Sequence, residues 1–130
     1  MSDSKLNAQQ LAAVRHIDGP LLVLAGAGSG KTRVITQKIA YLIEHCEYPA
    51  SSICALTFTN KAANEMRERI LKILSAQSSS LPWLGTFHSI SNKILRRHAE
   101  AVELKSNFTI LDTLDPVSYT HLTLPTIYSV

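Results

Sequence analysis

The sequence predicts an α/β fold with a parallel sheet flanked by helices. Short apolar runs of four to six residues alternate with amphipathic stretches of helical length, the pattern of strand–helix–strand units. The first run, Leu21–Ala25, is apolar at every position, the form of a strand buried on both faces. A glycine-rich turn then joins that run directly to a helix.

The elements come in order along the chain. Asn7 can cap a helix running to about Ile17, with Leu11, Val14 and Ala13 inward and Leu6 placed as a hydrophobic staple. Gly19-Pro20 breaks the chain before the Leu21–Ala25 strand. After the glycine turn a helix spans about Lys31 to Glu44, with Val34, Ile35, Ile39, Leu42 and Ile43 apolar. Ile53–Phe58 reads as a second strand, and Asn60 as the cap of a helix whose inner face carries Met66, Ile70, Leu71 and Ile73 or Leu74. Ser75–Pro82 is a small polar loop, Trp83–Phe87 a third strand, and about Ser89 to Ala101 a helix bearing Lys93, Arg96 and Arg97. Phe108–Leu111 is a fourth short apolar segment, and Asp112 can cap the next element. Trp83, Cys46 and Cys54 read as packing residues.

Composition bounds the function classes. With 130 residues, 45% of them hydrophobic and 18% charged, the chain is an ordinary globular domain rather than a disordered or collagen-like one. No apolar run approaches the ~20 residues of a membrane span, so no membrane association is expected. A polar N-terminus and two cysteines outside any C-x-x-C pair point to a reduced, cytoplasmic setting. The five histidines have no metal-site spacing. The net charge of +3 is unevenly spread. Residues 61–97 carry seven basic against two acidic residues, whereas residues 98–130 carry one against four. The basic stretch suits a polyanion, or two solvated helix faces. Arg67 and Arg69, two apart on a helix, cannot share one face, so at least one of them is expected to be only solvated.

The strongest chemical signal is A-G-A-G-S-G-K-T, Ala25 to Thr32. It fits the phosphate-loop pattern G-x-x-x-x-G-K-[ST], with Ala25 in place of the first glycine. A bound triphosphate needs backbone N–H groups curled around its oxygens. Gly26, Gly28 and Gly30 permit that curl, and Ala27 and Ser29 complete the loop. The helix from Lys31 adds its N-terminal dipole. Lys31 can reach the β- and γ-phosphates, and the Thr32 hydroxyl can ligate Mg²⁺. The chemistry points to a nucleoside triphosphate with Mg²⁺, and the family resemblance below makes it ATP.

From Leu6 to Asp112 the sequence resembles the N-terminal portion of the UvrD/Rep/PcrA helicases of superfamily 1. L-N-A-Q-Q-L-A-A-V resembles their Q motif, A-G-A-G-S-G-K-T-R-V motif I, A-L-T-F-T-N-K-A-A-N-E-M-R-E-R-I motif Ia and G-T-F-H-S motif Ib. The resemblance implies an incomplete RecA-like P-loop NTPase sheet and a parent protein that is an ATP-dependent helicase moving 3′ to 5′ on single-stranded DNA in repair or replication. It implies that Gln10 reads adenine, its amide both donating and accepting, and that Arg33 lies near the nucleotide or on a solvated helix face. Thr57, Phe58, Thr59, Asn60 and Lys61 become single-strand contacts, as do Thr86 and His88. Phe58 read as core, His88 read as structural and Gln10 read as an exposed helix-start residue stay open beside these roles. Residues 1–115 then form the N-terminal part of a first motor domain, entering the insertion after motif Ib from about residue 89. The family's hydrolysis also needs a motif II carboxylate pair and later arginines, and no D-E-x-x pattern occurs here. The chain alone is therefore expected to bind nucleotide and strand without turnover, and the runner-up for the parent is the helicase part of a helicase–nuclease of the same superfamily.

The last segment differs in kind. Val117–Val130 holds no charged residue, against 23 charged residues in the preceding 116. V-S-Y-T-H-L-T-L-P-T resembles one-frame translation of a transposase-end sequencing adapter, so residues 116–130 read as a non-native tail.

Overall fold

The computed structural model describes residues 6–28, 30–74 and 80–110. The expectations on Ser29, on Leu111 and Asp112, on most of the 75–82 loop and on the tail from 116 lie outside the described residues. The described residues up to Ser91 and those from Asn92 onward form two compact units.

In the first unit, α1 spans Ala8–Arg15. Asn7 Oδ1 accepts the Gln10 N–H at 2.8 Å and Gln10 Oε1 accepts the Asn7 N–H at 3.0 Å, so two donors left over at the helix start are satisfied reciprocally. The helix ends two residues before Ile17, which is exposed. Lys38 Nζ closes this end by donating to Ala13 O at 2.9 Å and to His16 O, a cation on the carbonyls where the dipole favours one.

Helix α2 spans Lys31–Glu44, as the sequence predicts, with Val34, Ile39 and Ala40 buried. Thr36 is buried too, its hydroxyl turned back onto Thr32 O and Arg33 O. A 3₁₀ turn at Ala50–Ser52 leads to strand β1, Ala55–Thr57. Helix α3 spans Asn60–Ile73, and its cap is Thr59 rather than Asn60. Thr59 keeps extended backbone and its Oγ1 accepts the Ala62 N–H at 3.1 Å, the geometry an N-cap requires. Strand β2, Leu84–Thr86, lies parallel to β1 with Ala55, Leu56 and Thr57 opposite Leu84, Gly85 and Thr86. Helix α4, Phe87–Arg97, starts two residues before the predicted Ser89. Thr86 explains the shift, because its Oγ1 accepts the Ser89 N–H at 3.1 Å.

Helix α3 is the hub, packing on α2, β1 and β2. Ile39 and Ala40 meet Ala63, Met66, Ile70 and Leu74 in one core with Ala50, Ala55, Leu81 and Leu84, and Ile70 is fully buried. Gly85 admits the first turn of α4. A Cβ there would lie 2.6 Å from Ser89 Oγ and 3.3 Å from Ile90 Cδ1.

One expectation is corrected. Leu21–Ala25 forms no strand and is not buried on both faces. Leu22 and Leu24 are 81% and 86% exposed, whereas Leu21 and Val23 are 45% and 44% exposed and line an open groove of about 610 Å³ with Ile35, Ile53, Cys54 and Leu56. A strand needs a hydrogen-bonded neighbour, and β1 and β2 pair only with each other among the described residues. The same groove leaves Ile35, expected inward, 45% exposed and leaves Cys54 exposed.

In the second unit, a 3₁₀ turn at Ala99–Val102 occupies the stretch predicted to finish the last helix. The Arg96 guanidinium donates to Ser106 O at 2.8 Å and Phe108 O at 3.1 Å, and lies 4.5 Å from the Phe108 ring centroid. Phe108–Ile110 has no regular secondary structure.

Candidate functional site

The glycine-rich loop ends on Gly30, the N-cap of α2, with φ +84° and ψ +23°; Gly28 also has φ +75°. An L side chain rarely adopts this left-handed backbone, which is why glycine stands at both positions. Gly30 brings no side-chain oxygen to cap the first turn, and the first helical bond is Val34 N–H to Gly30 O at 3.1 Å. Lys31, Thr32 and Arg33 stand exposed on that turn. A 14-residue helix presenting its N-terminus beside a lysine is suited to a phosphate.

Gln10 sits against the loop: a Cβ built on Gly30 would be 3.1 Å from Gln10 Nε2. Its Oε1 is held by the Asn7 N–H, so the amide nitrogen is the end turned toward Gly30. The structure thus brings the predicted base-reading glutamine and the phosphate loop together. Arg33 lines an open hollow of about 360 Å³ with Leu6, Gln37, Arg69 and Lys72.

The second group of predicted residues gathers where the two parallel strands end. Thr57 and Thr86 are register partners and both are buried. The Thr57 hydroxyl donates to Thr59 O at 3.0 Å, and Thr86 Oγ1 caps α4. These two hydroxyls therefore shape the edge from within. Phe58, Thr59, Asn60, Lys61 and His88 lie at the surface. Phe58 is 91% exposed, which removes its reading as core. Two capped helix N-termini, of α3 and α4, open at this same edge, the usual ligand side of a parallel sheet.

Phe87 is absent from the residues the sequence singles out. It stands 5.3 Å, centroid to centroid, from Phe58 and is 45% exposed. Its signal is the repeated dipeptide Thr-Phe, Thr57-Phe58 and Thr86-Phe87, each closing an apolar run before a helix. Arg67 is more than a surface charge. It donates from Nη2 to Leu84 O at 2.7 Å and from Nη1 to Asn64 Oδ1 at 3.1 Å, tying α3 to β2. Arg69, by contrast, is exposed. Among the described residues no cluster of His, Cys, Asp or Glu could hold a metal, and no helix is long and apolar enough to cross a membrane.

A two-stranded parallel sheet with a glycine-rich loop heading α2, and two capped helices opening at the strand ends, places this unit in the α/β class. The chain belongs to the UvrD/REP helicase N-terminal domain family, whose model matches residues 6–128. That match runs through most of the segment read above as a non-native tail. The chain is 48% identical over 113 residues to the ATP-dependent DNA helicase PcrA of Staphylococcus aureus (strain Mu50 / ATCC 700699), covering 87% of this chain and 15% of that protein. It is 50% identical over 112 residues to the ATP-dependent DNA helicase Rep of Buchnera aphidicola subsp. Baizongia pistaciae, covering 86% and 17%. It is 52% identical over 108 residues to the PcrA of Leuconostoc citreum, covering 83% and 14%. The chain thus spans about one-sixth of the length of these relatives.

Proposed function

We propose that this chain carries the ATP phosphate-binding loop and part of the single-stranded-DNA-binding surface of a cytoplasmic, ATP-dependent DNA helicase moving 3′ to 5′. The observation that carries this reading is A-G-A-G-S-G-K-T seated on the N-terminus of α2, with Gly30 left-handed and Gln10 alongside. The names of the relatives, ATP-dependent DNA helicases, support it.

In this reading the chain belongs to a RecA-like P-loop sheet. Residues Ala25–Gly30 wrap the phosphates with backbone N–H groups and Lys31 neutralises the β- and γ-phosphate charge. The Thr32 hydroxyl would supply one ligand to Mg²⁺. Gln10 and Arg33 take the base side. Held by Thr32, Mg²⁺ would supply neutralisation of phosphate charge. At the ends of β1 and β2 Phe58 stacks on an unpaired base, while Lys61, His88 and the N–H groups of Asn60 and Lys61 meet backbone phosphates. Thr57, Thr59 and Thr86 hold that edge in shape.

The test is Lys31→Ala in the full-length protein. ATP hydrolysis and unwinding should both disappear while the melting temperature stays unchanged. Unwinding that persists would overturn the assignment.

A further inference from the structure

We infer that Phe58 and Phe87 act as one two-ring platform for an unpaired nucleobase, with Phe87 as a binding residue in its own right. This deepens the strand-binding reading above and rests on it. Each ring follows the last residue of its strand, and the Thr57–Thr86 register sets them side by side. Their centroids are 5.3 Å apart with planes inclined at 38°, within the range where aromatic pairs attract. The pair holds the Phe58 ring in place although 91% of that residue is exposed, so less rotamer freedom is lost when a ligand arrives.

Two large rings left in water at one edge need an occupant, and charge decides which. Phe58 is followed by Thr59, Asn60 and Lys61 at the start of α3, and Phe87 by His88 at the start of α4. Lys61, in the first turn of α3, is exposed. Apolar rings beside two helix N-termini and the Lys61 ammonium fit a polyanion with flat apolar faces, which describes a single strand of nucleic acid. In a duplex those base faces are stacked away, so the platform takes only an unpaired base.

The experiment measures binding of the full 130-residue chain to fluorescent oligo-dT and to an equally long strand with abasic positions. Phe87→Ala should weaken oligo-dT binding about ten-fold, within the range found for base–aromatic stacking, and leave abasic-strand binding unchanged. Phe87→Tyr should restore binding and Phe87→Leu should not, because an apolar filler of similar bulk has no π-face. The losses from Phe58→Ala and Phe87→Ala should be less than additive in the double variant. A Phe87→Ala chain that binds oligo-dT like the unaltered one, beside a weakened Phe58→Ala, overturns the platform and leaves strand binding standing. Equal losses on both strands, or rescue by leucine, also overturn it. Failure of the unaltered chain to bind either strand overturns the strand-binding reading and the platform with it.

Discussion

Gly85→Ala tests the packing that sets the strand-end edge. Gly85 is not among the glycines with positive φ, so the backbone itself accepts alanine. On conformational grounds alone the change should stabilise by about 0.4–1 kcal/mol, through the unfolded chain. The surroundings reverse the sign. The new Cβ would meet Ser89 Oγ at 2.6 Å and Ile90 Cδ1 at 3.3 Å. The serine hydroxyl can rotate away, but it gives up its bonds to Thr86 O and Thr86 Oγ1, both at 3.1 Å. Ile90 is 3% exposed and has little room to yield. Overpacking of this kind costs about 1–3 kcal/mol, so we expect a net destabilisation of about 1–2 kcal/mol. Ser89→Ala alone should cost about 0.5–1 kcal/mol, the loss of a modest, partly exposed hydrogen bond. In the double variant the 2.6 Å contact is gone, so its cost should fall below the sum of the singles by about 1 kcal/mol. Urea titration with a common m-value measures all three. A neutral or stabilising Gly85→Ala, or costs that simply add, would refute the close-approach argument.

Substitutions at Thr59, Arg67 and Arg69 test the helix that joins the strands. Thr59→Ala removes the acceptor for the Ala62 N–H and should cost about 1 kcal/mol, with Thr59→Ser recovering most of it; an unchanged urea midpoint would rule Thr59 out as the cap. Arg67→Met deletes the donor to Leu84 O and should cost about 1.5–3 kcal/mol, whereas the exposed Arg69→Met should stay within about 0.5 kcal/mol of the unaltered chain. Equal costs at 67 and 69 would mean that the Arg67 bond adds nothing.

What can be read from the residues is what short-range chemistry decides. The bounds of α2 follow from Gly30 and the apolar spacing after it, and the Asn7 cap follows from a polar side chain three residues before a glutamine. The cap of α3 differs from expectation by one position because Thr59 and Asn60 are both good cap residues, and only the extended backbone at Thr59 chooses between them. Arg67 and Phe87 escape the sequence for a different reason. Whether an arginine on a helix is solvated, or a phenylalanine at a strand end is core, depends on what the sheet places beside it. Here that is Leu84 O for the first and Phe58 for the second. Leu21–Ala25 is the extreme case: its composition is that of a central strand, but a strand exists only with a ladder partner.

That segment also separates the two candidate sites in how firmly each is held. A phosphate loop is anchored at both ends, by the strand that enters it and the helix that leaves it. The leaving end is secure, since α2 places Ile39 and Ala40 in the core and reaches back through Lys38 to the carbonyls of α1. The entering end, Leu21–Ala25, is held by no ladder among the described residues. At the ends of β1 and β2 both strands are paired, both helices are capped by threonines, and Arg67 ties α3 to β2 beneath them. Preorganisation is what separates a binding site from a collection of suitable residues. By that measure the strand-end edge with its two rings is the better organised site in this chain. The glycine-rich loop has the right residues and the right backbone turn, but the segment that enters it has no ladder partner among the described residues.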